Sequence, residues 1–186
     1  MGRTQGDIYN EWLVLRCQDG DSEALTQLIQ EWQPRLVRLA WRLTADRDAA
    51  GDLVQDAWIA IVRGLRRLDD PARFRSWAFR IITNKCVDWT RKRVVQRRAT
   101  EDLAHFTPVI TDERSSSSML QNEQRRIRDA VAALPNEQRA IVSLHYLDGM
   151  AQAEIARVLS LPVGTVKSRL FHARSLLKQA IERVTS

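Results

Sequence analysis

Residues 151–177 read AQAEIARVLSLPVGTVKSRLFHARSLL. Ile155, Ala156 and Leu159 recur at helical spacing, a tight turn follows at Ser160 to Pro162, and a longer apolar series then runs through Val166, Leu170, Ala173 and Leu177. Residues three and four apart share one helix face, so the steps of four, three and four put this series on a single buried side. Two helices joined by so short a turn have the layout of a helix-turn-helix. With that series inward, Ser168, Phe171, His172 and Ser175 face outward, Thr165 and Lys167 lie at the leading end, and Arg169 and Arg174 stand on the two flanks. Flanking cations suit phosphates, and a mixed polar and aromatic face suits base edges and thymine methyls. The competing reading is a solvated basic helix of a small bundle, which needs two helices, a short turn and an outward Phe171 to coincide without purpose.

Outward from this stretch the same periodicity continues. It predicts helices over roughly 122–133, 136–147, 151–159 and 163–183, broken at Pro135, Gly149 and Pro162, and over 7–18, 21–44, 47–67 and 72–95 nearer the amino terminus. Only seven glycines and five prolines occur in 186 residues, too few for a chain built of hairpins, so the expected class is all-α. Between 99 and 124 the composition changes: Glu101, Asp102, Asp112, Glu113 and Glu123 face Arg114 alone, beside a four-serine run and Pro108. The stretch just before it, 85–98, carries Lys85, Arg91, Lys92, Arg93, Arg97 and Arg98 against Asp88. The expected organisation is two small helical domains, 1–98 and 123–186, joined by an acidic Ser-rich linker at 99–122. All six tryptophans precede the linker, so the two halves have different cores.

The clearest helix of the first half places Leu53, Val54, Ala57, Trp58, Ile61, Val62 and Leu65 on one stripe and Asp52, Gln55, Asp56, Ile59 and Arg63 on the other side. A formal net charge of +6 makes an acidic polymer the first partner to consider. No stretch approaches the ~18 uncharged apolar residues of a membrane span, and a cytoplasmic location is expected. Cys17 and Cys86 are single and far apart, which points to neither a disulfide framework nor a zinc site. His105, His145 and His172 are scattered, with no nucleophile, base or metal constellation at usable spacing, so no catalytic residue, metal or cofactor is expected. His145 reads as a satisfied helix residue rather than a ligand.

Two segments carry a family resemblance. DAAGDLVQDAWIAIVRGLRRLDDPARFRSWAFRIITNKCVDWTRKR, residues 48–93, resembles region 2 of bacterial RNA polymerase sigma factors of the extracytoplasmic-function (ECF) group. PNEQRAIVSLHYLDGMAQAEIARVLSLPVGTVKSRLFHARSLLK, residues 135–178, resembles region 4 of the same group. The resemblance implies a dissociable subunit that binds core RNA polymerase, through the β′ clamp helices and the β flap, and reads the minus-10 and minus-35 elements of promoter DNA. It also implies sequestration by an anti-sigma factor, as for many members. The alternative is a free-standing helix-turn-helix regulator, which would leave the face from Asp52 to Ile59 without a partner.

By position, Asp52, Leu53, Gln55, Asp56 and the neighbouring Ile59 match the clamp-contact helix of the family; ordinary helix solvation would account equally for the carboxylates. The stretch from Phe74 to Asp88 matches the minus-10 reading segment, where a loop, here 68–75, captures a base flipped from the non-template strand with Asn84 as its partner. Arg73, Phe74, Arg75, Arg80, Asn84 and Arg91 form the expected minus-10 set, since an unpaired base needs a hydrogen-bonding partner and its phosphates need cations. Trp77 shares helical spacing with Phe74 and Ile81 and is expected in the core. Thr165, Lys167, Ser168, Arg169, Phe171, His172 and Arg174 form the expected minus-35 set.

Three positions depart from the family pattern. Ala151 stands where Ser or Thr usually begins a capping box with Glu154. Ser160 stands where the turn usually has Gly, which predicts a left-handed serine. His172 stands where many relatives have Arg, a group able to hold guanine by two bonds.

Overall fold

Three aspartates set where helices of the first half begin. Asp21 accepts hydrogen bonds from the Glu23 and Ala24 backbone N–H groups at 2.9 and 3.0 Å, Asp46 accepts from Ala49 N–H at 3.1 Å, and Asp70 accepts from Ala72 N–H at 3.1 Å. Each satisfies donors that the first turn of a helix leaves open. The N–H of Ala49, followed by the Arg93 guanidinium 2.8 Å away, holds the Asp46 carboxyl below the usual range, and the Arg93 contact ties the start of one helix to the side of another.

In a computed structural model describing residues 5–100, 127 and 129–185, these caps open α2 (Ser22–Thr44), α3 (Arg47–Leu65) and a 3₁₀ turn (Pro71–Arg73), with α1 (Gln5–Gln18) before them. Helix α4 (Phe74–Thr100) follows and runs across the domain boundary expected at 98. The rest of the expected linker, 101–122, lies outside the described residues, as does half of the helix expected over 122–133. The second half contains α5 (Asn136–Val142), a π-helical stretch (Ser143–Leu147), α6 (Gln152–Leu159) and α7 (Val163–Thr185). No strand occurs among the described residues, and the fold class is all-α.

The first-half core is organised around Trp32. Its ring meets Phe74 and Phe79 edge-on at 5.2 and 5.9 Å between centroids, and its indole N–H donates to Asn10 Oδ1 at 2.8 Å, so the buried polar atom is paired. Gly64 is required by a close approach: a Cβ there would come within 2.8 Å of Trp77 Cζ2. Trp77 is half-buried against this core, as its spacing predicts.

In the second half, the π-helical stretch widens the backbone after α5, with Asp148 N–H donating to Ser143 O at 3.1 Å and Met150 N–H to Leu144 O at 2.9 Å. His145 Nδ1 lies 3.0 Å from Met150 O, an acceptor, so it carries the proton; the satisfied-residue reading holds. Ala151 has no side chain to cap α6, yet Glu154 Oε2 accepts its N–H at 3.0 Å, so half of the capping box survives. Ser160 adopts φ 53° and ψ 44°, the left-handed conformation expected of it. Ala151→Ser is expected to stabilise the chain by about 1 kcal/mol by adding the missing acceptor. Ser160→Gly is expected to add about 0.5–1 kcal/mol by removing the left-handed penalty. Urea unfolding of each variant measures both; a loss of stability in Ser160→Gly would mean that the serine side chain contributes more than its backbone costs.

The two halves share one hydrophobic core rather than the different cores expected from the tryptophans, with α4 packed against α6 and α2 against α5. Arg42 Nη1 of α2 lies 3.1 Å from Asp148 Oδ2 across this seam.

Candidate nucleic-acid interface

The outward face of α7 is free. Val166, Leu170 and Ala173 are buried and Leu177 half-buried, while Lys167, Ser168, Phe171, His172, Arg174 and Ser175 are exposed, Phe171 at 69 %. A large aromatic ring held in water is costly unless something covers it. The Phe171 ring stands edge-on to His172 with centroids 5.8 Å apart, and Ser168 Oγ donates to Thr165 O at 3.1 Å. Thr165 and Arg169 are half-buried at the margins. The flanking cations are braced from behind: Arg169 Nη1 lies 2.7 Å from Glu137 Oε2, and Arg174 bonds the Tyr146 hydroxyl. Spacing alone did not give Glu137 and Tyr146, since neither shares a helix with the residue it supports.

A second polar surface lies along the start of α4. Gln18 Nε2 donates to Leu65 O at 2.9 Å and Leu68 O at 2.8 Å, pinning the backbone where the expected base-capturing loop begins. Asp70 then caps the 3₁₀ turn and pairs with Arg73 Nε at 3.2 Å. Arg73, Arg80, Asn84 and Arg91 are exposed, and the last three recur at steps of four and seven, which puts them on one face of α4. Phe74 is a correction to the expected set. It is 1 % exposed with its ring against Trp32, so it anchors the loop from inside and presents nothing to a ligand. Arg75 is half-buried and donates to the backbone carbonyl of Asp148.

On α3, Asp52, Gln55, Asp56 and Ile59 are exposed together, Ile59 at 46 %, and Leu53 is half-buried against the core. Val62, expected on the buried stripe, is exposed and extends this face instead. Lys85 Nζ lies 3.6 Å from Asp56 Oδ2, but the carboxylate remains mostly in water, and such a surface pair contributes little. The face therefore combines carboxylates with apolar side chains, a composition suited to a basic partner with an apolar centre. No three or more His, Cys, Asp or Glu side chains among the described residues are grouped to hold a metal ion, and no described helix is long and apolar enough to cross a membrane.

The Sigma-70 region 2 family matches residues 28–95 and the Sigma-70 region 4 family matches 124–177. The ECF RNA polymerase sigma-E factor of Escherichia coli K12 is 30 % identical over 188 residues, covering 94 % of this chain and 95 % of that protein. ECF sigma factor SigW of Bacillus subtilis is 26 % identical, covering 90 % of this chain and 94 % of that one. Among solved structures, CnrH in complex with the cytosolic domain of CnrY superposes with a TM-score of 0.68 at 26 % identity, covering 94 % of this chain and 98 % of that one.

Proposed function

The chain belongs to the ECF RNA polymerase sigma factors, and from that premise we propose that α3 docks on the core enzyme, α4 reads the minus-10 element and α7 reads the minus-35 element. The protein is a transcription initiation factor that binds core RNA polymerase and directs it to promoter DNA. It acts by binding, without an active site of its own, and works in the cytoplasm. An anti-sigma factor holds it in reserve. Residues 1–98 and 123–186 are its two working domains, with 99–122 the tether between them.

The observation that carries this reading is the pair of exposed faces, acidic and apolar on α3, aromatic and flanked by cations on α7, in the two segments matched by regions 2 and 4. A free-standing regulator has no use for the first of them. In the proposed division of labour, Asp52, Gln55, Asp56 and Ile59 meet the clamp helices, with Leu53 supporting them from below. Arg73, Arg80 and Arg91 hold phosphates of the melted strand while Asn84 meets the flipped base, and Phe171 and His172 meet base edges of the minus-35 duplex. The test is co-purification of the chain with core polymerase, followed by run-off transcription from a promoter that core polymerase alone does not use.

Asn84→Ala is expected to reduce promoter opening about tenfold and to blur the preference at one minus-10 position, since one amide contact with a base contributes about 1–3 kcal/mol of discrimination. Duplex binding by α7 is expected to be unchanged. A panel of minus-10 variants that keeps its full ranking with Asn84→Ala would remove Asn84 from the site.

A further inference from the structure

Asp148 lies at the end of the π-helical stretch, where the widened backbone turns it toward the first half. Its carboxylate is 11 % exposed and pairs with Arg42 at 3.1 Å, while its backbone carbonyl accepts from Arg75. One residue of the second half therefore engages two arginines of the first, and one of these belongs to the expected minus-10 set. We propose that Asp148 is a latch that holds the two halves closed and withholds Arg75 from single-stranded DNA. This inference rests on the promoter-reading function proposed above.

The closed arrangement cannot serve both promoter elements at once. A packed chain of 186 residues has a radius of gyration of about 16 Å and hence a diameter of roughly 40 Å. Elements centred at minus-10 and minus-35 lie about 25 base pairs apart, which at 3.4 Å per pair is about 85 Å. The α4 and α7 surfaces must therefore separate before both are occupied. The seam is built to allow this. A groove open to solvent lies between α4 and the start of α5, lined by Leu43, Cys86, Val87, Asn136 and others. One helical turn before Cys86 and Val87, the Thr83 hydroxyl is buried without a partner among the described residues. Water reaches the seam through this groove, and a buried hydroxyl without a partner disfavours the closed state. Apolar packing of α4 on α6 and of α2 on α5 also holds the seam, and Asp148 adds the polar contacts that tie it to Arg42 and Arg75.

The test uses the full chain with Arg42→Asp, Asp148→Arg and the double exchange. Small-angle X-ray scattering reads closure, binding of a fluorescent mixed-sequence 20-nucleotide single strand reads release of Arg75, and circular dichroism reads the fold. Each single variant is expected to expand by several ångströms and to bind the strand about tenfold more tightly, and the exchange, which restores an opposite-charge pair, is expected to return both values toward wild type. Because Arg42→Asp lowers and Asp148→Arg raises the net charge, tighter binding in both separates opening from simple attraction to phosphate. Folded single variants with wild-type scattering would overturn the latch. Expanded variants with unchanged strand binding would overturn the withholding of Arg75. Should either single variant lose its helical signal, Arg42→Gln and Asp148→Asn replace it, with the same expected direction. Core polymerase binding, assayed alongside, addresses the sigma-factor function separately: its absence in wild type and variants alike would count against that function and leave the scattering result to decide the latch.

Discussion

Replacing Asp52 and Asp56 together with lysine is expected to weaken binding to core RNA polymerase by about a hundredfold while leaving the fold intact. Both carboxylates are exposed on α3, and the only ion pair at either among the described residues, Lys85 with Asp56, is a long surface contact, so the free chain loses almost nothing. At an interface with a basic partner, each substitution turns an attraction into a like-charge clash, which costs several kcal/mol in a desolvated setting and slows encounter as well. Ile59→Ala on the same face is expected to act through lost apolar contact, with a smaller effect that does not change with salt. Equilibrium binding of labelled core enzyme at two salt concentrations, with circular dichroism of each variant, is the measurement. Unchanged affinity in a folded Asp52→Lys/Asp56→Lys chain would move the clamp contact elsewhere.

The second large effect is on stability. Phe74→Ala is expected to cost about 3–5 kcal/mol, because it removes a fully buried ring and opens a cavity beside Trp32 and Trp77. Phe74→Leu keeps most of the volume and is expected to cost well under half as much. Urea unfolding of the two variants measures this. If Phe74 instead contacted DNA, Phe74→Ala would keep wild-type stability and lose strand affinity; the buried ring predicts the reverse order, with lost stability first and lost binding only as its consequence.

The readings that held and those that failed differ in how far along the chain their cause lies. The α7 faces were legible because burial there follows a local period: Val166, Leu170 and Ala173 face the core, and Phe171 and His172 therefore cannot. The left-handed Ser160 was legible because the resemblance puts it where the turn usually has Gly, the residue that adopts that conformation most readily. Val62 was misplaced because it sits at the edge of its stripe, where helical phase cannot tell a core neighbour from open solvent. Phe74 was included in the minus-10 set by its position in the reading segment, whereas the packing that buries it comes from Trp32, on another helix. The five-residue π-helical stretch carries no distinguishing pattern in SLHYL. Arg42 and Asp148, 106 residues apart, left no trace in any local window, and only the assembled structure brings them together.

The buried thiol at the seam bears on how the protein can be handled. Cys86 is fully covered, and desolvation pushes its pKa up to about 12. Near neutral pH its thiolate fraction is about a thousandfold below that of an ordinary cysteine, and alkylating agents and peroxides react with the thiolate. Cys17 is half-buried, with a smaller rise caused first by burial and then by the Asp21 carboxylate, and Arg16 opposes it. A maleimide dye added at stoichiometric amounts therefore goes to Cys17 and marks the end of α1, so single-site labelling needs no engineered cysteine.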